Sequence, residues 1–169
     1  MGKLYILCGI PFSGKTTLAK QVVRKRRYTR IDLDDIKFEI YGNGIKDEEL
    51  KQTDWDIVYQ RMYKMIDDAL IEGKTVIHDT GNFTKHERGL VKQIADKLNI
   101  DTIMIFVDTP SSVAYERLLK NRSANKRFDV SDNDFNETVK EMEPPTADEN
   151  PLIFHYDEAV DSWIDKNLK

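Results

Sequence analysis

The residues Gly9-Ile10-Pro11-Phe12-Ser13-Gly14-Lys15-Thr16 satisfy the pattern G-x-x-x-x-G-K-[ST] at every fixed position. Each residue type has a physical reason to stand there. Gly14 lets the backbone approach phosphate oxygens without a Cβ in the way. Successive backbone N–H groups of such a loop form an anion nest, and a helix starting at Lys15 points its positive end at the same place. Lys15 reaches β- and γ-phosphates, and the Thr16 hydroxyl suits Mg²⁺. Gly9, Pro11, Ser13, Gly14, Lys15, Thr16 and Thr17 are therefore the expected nucleotide contacts, with ATP and Mg²⁺ as the expected ligands. The plain alternative is a tight glycine turn followed by an exposed lysine.

Phosphoryl transfer also needs carboxylates. Asp79 follows the apolar Val76-Ile77, where a phosphate-loop fold keeps a second metal-site acid. It would equally well cap the turn Asp79-Thr80-Gly81-Asn82. Asp108, before Thr109-Pro110, is its rival and also reads as a helix cap. Asp32-Leu33-Asp34-Asp35 offers an acid to take the proton of an acceptor hydroxyl. Asp34 is the first choice, with Asp32 and Asp35 open, because these positions also serve the first turn of a helix. Arg117, late in its helix, is followed by Arg122, Lys126 and Arg127 in a segment without apolar periodicity, about residues 121–134. That segment reads as a mobile basic lid able to close over the transferring phosphoryl and exclude water. Read plainly, it is a solvated charged loop.

Elements that alternate along the chain must position these groups. Leu4–Cys8, Tyr28–Asp32, Thr75–Asp79, Thr102–Val107 and Leu152–His155 read as strands. Helices are expected from Lys15 to about Lys25, Asp34 to Tyr41, about Glu48 to Ile71, Lys85 to about Leu98, Ser111 to about Lys120, and Glu158 to Leu168, with one more short helix before Pro144-Pro145. Trp55, Val58, Met62, Met65, Ile66 and Ala69 recur at helical spacing and read as core. Strand and helix in alternation, with near-continuously apolar strands, predict an α/β fold with a parallel sheet covered on both faces. Its ligands belong beyond the carboxyl ends of the strands.

With 169 residues and 40% of them hydrophobic, the chain suits a single domain over residues 1–169. The one cysteine, Cys8, forms no intrachain disulfide, and His78, His86 and His155 have no metal-ligand spacing. No apolar run approaches the roughly 20 residues of a membrane helix. These features predict a cytoplasmic protein with no membrane partner. A net charge of −4 argues against a global field for nucleic acid. The local run Arg24-Lys25-Arg26-Arg27 suits the C-terminal end of a helix.

Taken together, the phosphate loop, Asp34-Asp35, Asp79-Thr80, Asp108-Thr109-Pro110 and the arginines from Arg117 to Arg127 resemble the small P-loop kinases typified by the kinase domain of phage polynucleotide kinase. The resemblance covers nearly the whole chain. It implies a five-stranded sheet of order 2-3-1-4-5. It also implies that Asp34 activates the acceptor, that Arg122 touches the nucleotide phosphates and that Arg117 lies along the adenine. Asp34, Lys37 and Asn82 are then the acceptor-side contacts. The sequence departs from the pattern there. Leu33 and Lys37 stand where the family often has arginines, and Gly81 is inserted between Thr80 and Asn82.

Three functions follow as expectations. The first is an ATP-dependent kinase phosphorylating a hydroxyl of a small molecule that the sequence does not identify. The second is a polynucleotide 5′-hydroxyl kinase, which would respond steeply to salt. The third is an ATPase switch with no acceptor.

Overall fold

The computed structural model describes residues 2–124 and 129–168. Five strands form one parallel sheet in the order β2-β3-β1-β4-β5. They are β1 (Leu4–Cys8), β2 (Thr29–Asp32), β3 (Val76–Asp79), β4 (Thr102–Asp108) and β5 (Leu152–His155). The helices are α1 (Lys15–Arg26), α2 (Leu33–Tyr41), α3 (Gln52–Ile71), α4 (Lys85–Lys97), α5 (Ser111–Ala124), α6 (Asp132–Glu141) and α7 (Val160–Asn167). The strand order implied by the resemblance is the one observed.

β1 is buried at all five positions, as the central strand of a doubly covered sheet must be. One face packs Leu4, Ile6 and Cys8 against α2, α3 and α4, through Ile36, Val58, Met62, Ile66 and Val91. The other packs Tyr5 and Leu7 against α1 and α7, through Leu18, Val22, Trp163 and Ile164. A third cluster joins Ile10 and Phe12 of the phosphate loop to Ala114 and Leu118 of α5 and Phe135 of α6.

Two expectations are corrected. The long helix starts at Gln52 rather than near Glu48, because Leu50 is extended after a 3₁₀ turn at Asp47–Glu49. The Lys51 N–H then donates to Asp54 Oδ2 at 2.8 Å, fixing the helix start. The segment 121–134 is not without structure. α5 runs on to Ala124, and α6 begins at Asp132 with Ser131 as its cap, the Asp134 N–H reaching Ser131 Oγ at 3.1 Å. The short helix expected before Pro144-Pro145 is α6, and polar composition hid only its start, which its cap and one buried aromatic, Phe135, suffice to place. Lys126 and Arg127 lie outside the described residues. On α3, Met65 is exposed while Met62 and Ile66 are buried.

Half of the Arg24–Arg27 run is engaged by another helix, while Arg24 and Arg27 are exposed. Lys25 and Arg26 both pair with Asp165 of α7, at 2.7 and 3.0 Å.

His78, wholly buried on β3, has its ring fixed by its neighbours. Asn82 donates its amide to Leu7 O at 2.7 Å and to His78 Nδ1 at 3.2 Å. The ring proton therefore sits on Nε2, 3.1 Å from Met62 Sδ. Burial drives the His78 pKa down to about 3. A neutral buried histidine costs nothing above its unfolded value near 6.5, but the unfolded chain gains a proton below it. Wild-type stability is therefore expected to lose ground to a His78→Gln variant as pH falls from about 6.5 toward 3. Urea titrations of both proteins across that window check this, and a pH-independent difference would contradict it.

Candidate active site

The candidate active site lies at the carboxyl ends of β1, β2 and β3. After β1 the chain turns through Gly14, whose φ of 109° lies in the left-handed region that a side chain resists. The turn is tied internally by the Ser13 N–H to Ile10 O at 3.2 Å. Phe12 adopts φ 59°, an uncommon value for a residue with a side chain, and its ring is buried in the third cluster. Burial of such a ring is worth about 1.5–3 kcal/mol, enough to hold the conformation. Sequence reasoning gave Phe12 no role, since the motif leaves that position free.

Lys15 Nζ bonds the loop carbonyls of Gly9 and Ile10 at 2.7 and 2.8 Å. Phe83 stands above it, with the ring centroid 5.9 Å from Nζ. The Phe83 ring reaches that place because Gly81 has no side chain: a Cβ there would lie 2.3 Å from the ring. The inserted glycine thus has a steric purpose.

The residues fit a phosphate and its metal. Ser13 Oγ is buried in the loop with no hydrogen-bond partner, a partner that a bound phosphate oxygen would supply. Thr16 Oγ1 lies 3.4 Å from Asp79 Oδ1, so the loop hydroxyl and the strand-end acid face one position. Asp108 is turned the other way, toward His155 Nδ1 at 3.2 Å. Arg117, on α5, donates to Phe12 O and Ser13 O at 3.2 and 2.8 Å. It borders a cleft of about 400 Å³ lined by Gly14, Thr17, Asn121, Tyr156 and Glu158. That cleft opens beside the phosphate loop and lies in the size range of small-molecule sites.

Arg30, on β2, organises the acids. Its Nε reaches Asp79 Oδ2 at 2.7 Å, its Nη1 reaches Asp35 Oδ2 at 2.7 Å, and its Nη2 pairs with Asp32. Asp32 in turn caps α2, accepting from the Asp34 N–H at 2.8 Å. Burial first, then the Asp79 carboxylate, push Asp32 up to about 7 against the pull of Arg30. Asp34 is exposed in the first turn of α2, bonded by Lys37 Nζ at 3.0 Å, and the same lysine reaches Asp47 Oδ1 at 2.7 Å.

Three expected contacts are otherwise engaged, and the first is Lys37, expected at the acceptor but buried between Asp34 and Asp47. Asn82, expected at the acceptor, is buried and its amide is occupied by Leu7 O and His78. Arg122, expected at the phosphates, pairs with Asp129 and Asp132 at 2.9 and 2.8 Å and donates to Val130 O. Arg30 was missed because an arginine inside a short strand reads as solvent-facing. Its position two residues before Asp32, on the same strand face, was the signal.

Arg88 of α4 is buried, in a bidentate pair with Glu149 at 2.7 and 3.0 Å and bonded to the carbonyl oxygens of Asn82 and Glu143. It ties the loop after β3 to the segment after α6. Removing Arg30 would leave Asp79 buried without its cation. Arg30→Met is expected to cost about 3–5 kcal/mol. Arg30→Met combined with Asp79→Asn is expected to recover most of it. Urea denaturation of both variants checks this, and equal losses would refute it.

The family model described as an AAA domain matches residues 4–145. Comparison with curated proteins found no match. Among solved structures, a putative kinase from Chloroflexus aurantiacus J-10-fl superposes with a TM-score of 0.77 at 20% identity, covering 99% of each chain. A sugar kinase from Janibacter sp. HTCC2649 gives 0.70 at 16% identity, covering 99% of this chain and 93% of that one. The Pnkp1/Rnl/Hen1 RNA repair complex gives 0.68 at 20%, covering 83% of this chain and 43% of that one. With its phosphate loop, its sheet of order 2-3-1-4-5 and a family match over most of its length, the chain belongs to this AAA-domain family of P-loop proteins.

Proposed function

We propose that the protein is an ATP-dependent kinase that transfers the γ-phosphoryl group to a hydroxyl of a small molecule. The observation that carries the reading is the Thr16 hydroxyl 3.4 Å from buried Asp79, with the acid-bearing start of α2 tied to Asp79 through Arg30. This juxtaposes a phosphate-and-metal side and an acceptor side. Kinase neighbours of the same fold support it.

In this reading the phosphate loop N–H groups and Lys15 bind the β- and γ-phosphates. Thr16 and Asp79 hold Mg²⁺, directly or through water, and the ion supplies charge neutralisation and orientation of the phosphates. Arg117 closes the base cleft. Asp34 accepts the proton of the acceptor hydroxyl. The acceptor oxygen bonds to the γ-phosphorus as the bond to the ADP oxygen breaks. Arg122 would exchange Asp129 and Asp132 for the transferring phosphoryl, with residues 121–134 acting as the lid. Phe83 and the lid exclude water, whose attack would waste ATP. Pairing of Lys25 and Arg26 with α7 weakens the polynucleotide reading, since half of the basic run is engaged within the fold.

Lys15→Ala is expected to abolish ATP turnover with the fold intact by circular dichroism. Undiminished turnover would refute the nucleotide assignment. Asp34→Asn is expected to keep ATP binding and slow transfer by roughly 10²–10⁴-fold, the usual worth of a positioned base. If Asp32→Asn or Asp35→Asn does so and Asp34→Asn does not, the base is misassigned. An ATPase switch without acceptor predicts no effect of Asp34→Asn on hydrolysis.

A further inference from the structure

The kinase reading leaves the acceptor unidentified, and the surroundings of Lys37 narrow it. In a phosphoryl-transfer site, a lysine beside the acceptor acid would ordinarily bind an anionic group of the substrate. Here Lys37 is 1% exposed in its side chain. Its Nζ is held by Asp34 Oδ1 at 3.0 Å and Asp47 Oδ1 at 2.7 Å. The remaining approach is walled by rings, with Nζ 4.7 Å from the Phe38 centroid and 5.6 Å from that of Trp55. Burial works to lower its pKa, but Asp47 and Asp34 outweigh this and keep it charged. The lysine is therefore a neutralised structural cation.

The other cation on this side, Arg30, is bonded to Asp32, Asp35 and Asp79. Leaving aside Asp79 on the metal side and Asp32, raised to about 7, these two cations still meet the three exposed acids Asp34, Asp35 and Asp47, and the local balance is negative. Trp55, Tyr59 and Tyr63 continue from Lys37 along α3 as a ladder, with centroids 6.2 and 6.1 Å apart. Tyr59 lies within the field of the same groups. Burial, then Glu87 at the start of α4, then Tyr63, Asp34 and Asp47 push its hydroxyl up to about 12. The acceptor face is thus bounded by α2, the Asp47 turn, α3 and the first turn of α4.

Building on the kinase reading, we infer that the acceptor is a polyhydroxy compound without phosphate or carboxylate, uncharged or bearing an amine, held against the α3 rings, and that the Asp34–Lys37–Asp47 triple excludes anionic acceptors. Rings bind the apolar face of a sugar-like compound and the face of a cation, and carboxylates accept from hydroxyls and ammonium groups. An anion brought to this face would meet exposed Asp34, Asp35 and Asp47 and find Lys37 already bonded.

The test is transfer from γ-labelled ATP with Mg²⁺ to three acceptor pools. One holds uncharged and amine-bearing sugars and cyclitols, the second phosphorylated and carboxylated sugars, the third a 5′-hydroxyl oligonucleotide. Wild type is expected to label the first pool alone. Asp47→Asn, an exposed substitution that frees Lys37 from one of its carboxylates, is expected to shift the ratio of kcat/KM toward the anionic sugars by about tenfold or more. Label on the second or third pool by wild type, at kcat/KM equal to the best uncharged acceptor, overturns the inference and leaves the kinase reading standing. An Asp47→Asn variant with unchanged selectivity overturns the exclusion by Lys37. No label in any pool, with ATP bound, overturns both readings.

Discussion

A carboxylate taken out of water at the end of a parallel strand must be met by a cation or by hydrogen-bond donors, since its uncompensated burial would cost several kcal/mol. Asp79 meets this requirement with Arg30 and the Thr16 hydroxyl. That one requirement orders much of the site. Arg30 must stand on β2 beside β3, where register pairs Asp32 with Asp79. Its other nitrogens then gather Asp32 and Asp35, and Asp32 caps α2. The acid pair at the start of α2 is thus set relative to the phosphate loop by a chain of charge-assisted bonds that begins at one buried acid.

The phosphate loop is held from the opposite side by packing. Ile10 and Phe12 are covered by α5 and α6, so the loop that touches phosphates shares a hydrophobic cluster with the helices flanking the basic segment. Arg117 adds two bonds from α5 to the loop carbonyls of Phe12 and Ser13. A shift of α5 or α6 would therefore be felt at the loop backbone. Arg88 makes a comparable tie behind the β3 turn, through Glu149 and the carbonyl oxygens of Asn82 and Glu143.

The parallel sheet, its strand order and the loop were legible because their signals are local or carried by the resemblance: an apolar run, a glycine-lysine pattern, a turn. The site's couplings were not, because they join residues far apart in sequence. Arg30 and Asp79 are 49 positions apart, and Lys37 meets Asp47 across a turn. Asn82 was expected to face a substrate, yet its positive φ and its bonds to the Leu7 carbonyl and His78 turn its amide inward. The start of α6 was missed because a capped polar helix with one buried phenylalanine leaves little periodicity to see. Cations in the sequence also look available until their partners are seen. Lys25, Arg26, Arg30, Lys37, Arg88 and Arg122 all prove to be paired with carboxylates.

The central claim is that the phosphate loop, Thr16 and Asp79 form one nucleotide–metal site. Calorimetric titration of the intact protein with ATP, in the presence and absence of Mg²⁺, tests it most directly. The account predicts one site per chain, bound at least about tenfold more tightly with Mg²⁺, with that gain lost in Asp79→Asn, since the metal adds charge-assisted contacts to Thr16 and Asp79. ATP binding of equal affinity with and without Mg²⁺, or a Mg²⁺ effect that survives Asp79→Asn, would contradict it.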